Sequence, residues 1–195
     1  MKHQKTCPVH EDPIAHMLKG APSRRNIDNT ADRIGDSAEK FDRLMQLVFH
    51  GNPDIAPRAA WAMDACLSRH PEWIQPYLCG MIDRLPHITT DGTKRQIVKN
   101  LSTTAIPESH EGKIVDCCFR WLQSPKTPVA VKVHCMQILA NITARHPELA
   151  GELRHLIEEQ MPHSSAAFRS RGRKLLAVLS QQKTSRSKNI SNSSE

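Results

Sequence analysis

Arg69-His70-Pro71-Glu72-Trp73-Ile74-Gln75-Pro76-Tyr77-Leu78 and Arg145-His146-Pro147-Glu148-Leu149 carry the same turn twice, 76 residues apart. Pro86 and Pro162, which close the helices that follow, share that separation, and Pro107-Glu108 marks the equivalent turn in between. Each residue type has a local reason to be there. Cationic Arg and His suit a helix C-terminus, Pro forbids continuation, and Glu suits the first turn of the next helix. The repetition argues for punctuation between helices rather than for two acid/base sets.

Outward from these turns the chain keeps a period. Trp61, Ile97, His134 and Arg171 occupy equivalent places in the first helix of successive pairs, at steps of 36, 37 and 37 residues, and Phe41 and Tyr77 stand 36 apart in the second helices. Apolar residues at helical spacing fill the segments between. Phe41, Leu44, Met45 and Val48 follow i, i+3, i+4, i+7 from an N-cap at Asp36 or Ser37, and Gly51-Asn52-Pro53 stops that helix. Further helices are predicted over 26–34, 57–69, 73–85, 93–102, 111–123, 129–145, 149–160 and 166–179. One helix pair cannot bury its apolar face alone, so a helix-turn-helix repeat of this length implies stacking. The expected fold is all-α: a short right-handed α-α solenoid of about four to five helix pairs.

Composition agrees. Aromatic residues make up 4% and glycine is scarce at 8, which leaves little for sheets or phosphate loops. The net charge of +7 is unevenly placed. Residues 1–50 carry 8 Lys/Arg and 7 Asp/Glu, residues 51–160 carry 12 of each, and residues 161–195 carry 7 and 1. A balanced body with a basic C-terminus is not a uniformly basic nucleic-acid binder. Six cysteines lack disulfide-framework spacing, and five of them lie in helical, apolar surroundings where cysteine acts as a small buried hydrophobe. The N-terminus has no apolar signal core and no run is long enough to span a membrane, so a cytoplasmic setting is expected. The expected organisation is a flexible arm over 1–22, a repeat domain over 23–180 and a disordered basic tail over 181–195.

The repeat resembles the HEAT/armadillo class, over roughly residues 24–180. It is also similar to small bacterial HEAT-like chains through the core RAAW…RHPEWIQPYL…KRQIVKNL…VAVKVHCMQIL…HPELAGEL…FRSRGRKLL. Some such chains bear an adenylosuccinate lyase label. That superfamily's Ser-Ser-x-Met-Pro-x-Lys-x-Asn loop has only a superficial echo here in Ser164-Ser165-Ala166-Ala167-Phe168. The resemblance implies a scaffold whose curved surface binds a protein or peptide.

Candidate site residues follow from side-chain chemistry. Trp61, Asp64, Trp73, Tyr77 and Trp121 are the candidate partner contacts, because aromatic anchors carry much of an interface's energy. Trp61 and Asp64 share a helix surface at i, i+3. HEAT-like alkylpurine DNA glycosylases hold a nucleoside with aromatic residues and an Asp. By that resemblance the same five residues could line a cleft, with Arg58, Lys94 and Arg95 meeting phosphates. This is the alternative function, and the balanced charge of the body weighs against it. Arg169, Arg171, Arg173 and Lys174, followed by Lys183, Arg186 and Lys188, form a basic cluster suited to phosphate or an acidic partner. Nucleic acid is thus a possible partner through the C-terminal helix and tail. His3, Cys7 and His10, beside Glu11 and Asp12, have short metal-ligand spacing but lack a second pair to close a site. Adjacent Cys117 and Cys118 read as core. No nucleophile elbow, Walker loop, dinucleotide fingerprint or zinc-protease motif occurs, so neither a cofactor nor a metal is expected.

Overall fold

The computed structural model describes the backbone of residues 13–191 and side chains through residue 181. Among the described residues there is no strand. The helices are α1 (Pro13–Leu18), α2 (Arg24–Ile34), α3 (Ala38–His50), α4 (Ala56–Leu67), α5 (Leu78–Arg84), α6 (Asp91–Leu101), α7 (Glu108–Gln123), α8 (Val129–Ile142), α9 (Ala150–Gln160) and α10 (Ala166–Ser191). Short 3-10 helices at Pro71–Tyr77, Leu85–His87, Pro147–Leu149 and Met161–His163 turn the chain between them.

Local chemistry sets the ends. The Ser23 and Ser37 hydroxyls accept from the backbone N–H of Asn26 and Lys40 at 3.2 and 3.3 Å, capping α2 and α3. Gly35 ends α2 at φ 54°, a left-handed turn that a side chain would strain. Pro57 lies in the first turn of α4, where its missing N–H costs nothing. The segment expected as one helix over 73–85 instead begins as the 3-10 helix Pro71–Tyr77. Pro76 lies inside it, and its ring and absent N–H disfavour α winding there.

The chain divides into two compact units. The first holds the described residues through Leu78 together with His87–Ile97; the second holds Cys79–Pro86 and the described residues from Val98 onward. Within the first, α2 packs on α4, α3 packs on α4, and α4 packs on the 3-10 helix Pro71–Tyr77. Within the second, α7, α8, α9 and α10 each pack on the next, and α7 also meets α9 while α8 meets α10. That zigzag makes two layers, alternate helices in each, which is the translational order of an α solenoid.

The core is aliphatic. Leu18, Ile27, Ile34, Phe41, Leu44, Met45 and Met63 are fully buried in the first unit, and Ile114, Leu122, Val131, Met136, Ile157 and Phe168 in the second. Each such side chain contributes about 1.5–3 kcal/mol by leaving water. Cys66, Cys117, Cys118 and Cys135 belong to this core. Burial pushes the Cys66 thiol up to about 11. A hydrogen bond with Cys135, then burial, pushes Cys118 well above the ordinary range. Such thiols stay protonated and unreactive at neutral pH. Cys79 departs from the expectation: Met81 and Ile82 take the inner face of α5, which leaves Cys79 exposed.

Within the described part of the N-terminal segment, α1 buries Ile14, Ala15 and Leu18 and packs on α2 and α3. Its apolar set spans little more than one turn, too short to stand out as a period. At the other end α10 runs from Ala166 to Ser191.

Candidate interaction surface

The Arg-His-Pro-Glu turns do more than stop helices. In the second unit, Arg145 pairs with Glu111 of α7, and His146 Nε2 lies 2.6 Å from the other Glu111 oxygen. His146 Nδ1 sits 3.4 Å from Glu148. In the first unit Arg69 Nη2 is 2.6 Å from Asp32, His70 Nε2 is 3.0 Å from Asp36, and His70 Nδ1 is 3.6 Å from Glu72. Each turn thus reaches back to an acid of the preceding helix pair. The copies differ in burial, since the Glu111 side chain is 5% exposed and that of Asp36 is 94% exposed.

Backbone carbonyls at helix ends are met the same way. Arg58 Nη1 donates to the carbonyls of Leu18, Lys19 and Gly20 at 2.9, 3.2 and 3.1 Å, closing the C-terminus of α1. Asn141 donates to the Ser102 carbonyl at 3.0 Å, and Gln160 to that of Leu122 at 3.0 Å. Carbonyls without an intrahelical partner are satisfied by the next repeat.

Phe41 is the buried centre of an aromatic group in the first unit. Trp73 lies 5.1 Å from it, ring centre to ring centre, and Tyr77 lies 5.7 Å away edge-on. His70 stacks on Trp73 at 4.2 Å and 11°, and the Tyr77 hydroxyl donates to Asp42 at 2.8 Å. Burial first, then that bond to a carboxylate, pushes Tyr77 up to about 12. Trp73 and Tyr77 are half-buried here, each with a face already occupied.

The expected site residues therefore separate. Trp73 and Tyr77 share Phe41, and Trp61 of α4 is half-buried in the same unit. Asp64, at i+3 from Trp61, is buried at 8% exposure rather than presented. Arg58 caps α1, which occupies the guanidinium proposed to meet phosphate. Lys94 is half-buried and 3.6 Å from Asp91, whereas Arg95 is exposed. Trp121 is half-buried in the second unit. On α10, Arg169 donates to the Ser164 carbonyl and Arg171 donates to Gln137 Oε1 at 2.6 Å. Arg173 and Lys174 are exposed, with no partner among the described residues.

Sequence reasoning missed the acids, Asp32, Asp36, Asp42 and Glu111. A signal was present, because each lies close to one repeat length before its partner. His3, Cys7 and His10 lie outside the described residues. Among the described residues no group of three or more His, Cys, Asp or Glu is placed to hold a metal ion. None of their helices is long and apolar enough to cross a membrane.

A family model described as a HEAT repeat domain matches residues 14–179. No curated protein and no solved structure matches the chain.

Proposed function

The chain belongs to the HEAT repeat domain family, and from that premise we propose that it is a non-enzymatic scaffold that binds a protein or peptide partner. One observation carries the reading. The chain has three Trp and one Tyr, and all four are half-buried on repeat helices, while the core is filled mostly by Leu, Ile and Met with Phe41, Phe119 and Phe168. Amphipathic aromatic side chains left at the surface are the residue types that anchor interfaces. Free cysteines suit a reducing compartment, which supports a cytoplasmic location.

Photo-crosslinking tests the proposal directly. A photoreactive residue replacing Trp61 or Trp121 should capture a specific protein saturably, and Trp73→Ala or Trp121→Ala should weaken that capture. Capture that is non-saturable, or the same in every variant, would remove the scaffold reading.

A further inference from the structure

The basic C-terminal segment enters one layer of the second unit. In the second unit, α8 and α10 form one layer and α7 and α9 the other. Through residue 181, the α8–α10 layer carries Lys132, Arg169, Arg171, Arg173 and Lys174 and no Asp or Glu. The α7–α9 layer carries three cations against six acids. At the surface the cations of the first layer are those of α10, since Lys132 is buried, while α9 exposes Glu152, Glu158 and Glu159 and α7 exposes charges of both signs.

A second property falls on the same layer. Among the described residues the exposed large apolar side chains are Val129 at 38% and Val178 at 43%, one on α8 and one on α10. Only one stripe of α10 is covered, by Phe168, Leu175 and Leu179 among its large residues. Lys174 and Val178, one turn apart on α10, are exposed together, and Arg173 is exposed further round the helix.

We propose that the α8–α10 face binds an acidic segment of another protein that also presents apolar side chains. This rests on the scaffold reading above and names the partner's chemistry. Acidic side chains answer Arg173 and Lys174, and apolar ones cover Val129 and Val178. Nucleic acid fits less well. The layer exposes no aromatic ring for base stacking, and Arg169 and Arg171 are already bonded within the chain, which leaves few cations for phosphates. A second copy of the chain fits less well too. Its acidic α9 exposes Glu152, Glu158 and Glu159 but no large apolar residue.

The test is fluorescence anisotropy on the full chain with a labelled helical peptide of Glu and Leu, a Glu and Ser peptide of equal charge, and a DNA duplex. The Glu/Leu peptide should bind tightest and weaken with salt. The double substitution Arg173→Glu, Lys174→Glu should weaken it about tenfold or more. Val178→Ser, a mild change at an exposed site, should weaken the Glu/Leu peptide and leave the Glu/Ser peptide unchanged. The proposal is overturned if the duplex or the Glu/Ser peptide binds as tightly as the Glu/Leu peptide. It is also overturned if the charge reversal has no effect, or if sedimentation shows salt-sensitive self-association through this face. If a partner captured by crosslinking binds the charge-reversed chain as well as wild type, this inference falls and the scaffold reading stands.

Discussion

His146 Nε2 lies 2.6 Å from Glu111 Oε2, across 35 residues of sequence. Arg145 holds the other oxygen of the same carboxylate. Glu111 is buried, while its two partners are each about half exposed. Two helix pairs are thereby joined by a carboxylate that depends on them for its charge partners.

Removing either cation side of that contact should therefore cost more than a surface ion pair and less than a fully buried one. Arg145→Ala is expected to lower stability by about 2 kcal/mol, between the ranges typical of those two cases. Arg69→Ala at the equivalent turn should cost distinctly less, since the Arg69 and Asp32 side chains are each about half exposed and solvent screens the pair. Urea unfolding of the two variants reads the contrast, and equal losses would contradict it.

Tyr77 is the chain's one tyrosine, so the long-wavelength tyrosinate absorbance band, which thiolates do not share, follows its ionisation. The folded chain should titrate near 12 against an ordinary value of 10.0. Asp42→Asn should lower the midpoint without returning it to 10.0, because burial is the larger cause. A raised folded value means the folded state holds the proton more tightly. This contribution to stability is complete below the unfolded value and lost as pH rises through the folded one.

Two glycines should respond oppositely to alanine. A Cβ at Gly172 would stand 2.9 Å from Ile157 Cγ2 and 3.3 Å from Met161 Sδ, where α10 meets the end of α9. Gly172→Ala should cost about 1 kcal/mol net, overpacking outweighing the gain in helix propensity. Gly112 in α7 has open space around that position, so Gly112→Ala should stabilise by about 0.5–1 kcal/mol. Thermal melts of both variants supply the comparison.

Lys132 is buried on α8 and donates to Gln160 Oε1 at 2.8 Å, and burial holds its amine below the ordinary 10.5. A depressed lysine value means the unfolded chain binds more protons in the window below 10.5, so wild-type stability gains there as pH rises. Lys132→Met lacks that dependence. The stability of the variant relative to wild type should fall steadily as pH climbs toward 10.5, as measured by urea unfolding at several pH values. A constant difference would show that the amine is not held in an apolar setting.

Much of the architecture was legible because it follows from local preference and period. Ser37 and Gly51 bound α3 as read, and the Phe41, Leu44, Met45, Val48 stripe faces inward. The candidate surface was far less legible. Arg69 and His70, Arg145 and His146 were read as partners of their own helix ends, yet their side chains bond to acids one helix pair earlier. Helical periodicity says which face of a helix is apolar; it does not say which neighbour stands opposite a polar residue at the end.

Sequence alone determined that this chain is a helical repeat of HEAT type, because a recurring apolar period with proline-closed turns can bury itself only by stacking. Tertiary structure alone decided which charges are presented. Alternate helices enter different layers, so the basic α10 shares a layer with α8, whose one lysine is buried, while the acidic α9 lies in the other layer of the second unit. Charge counted along the chain says how much there is, whereas burial and layering decide which of it a partner meets.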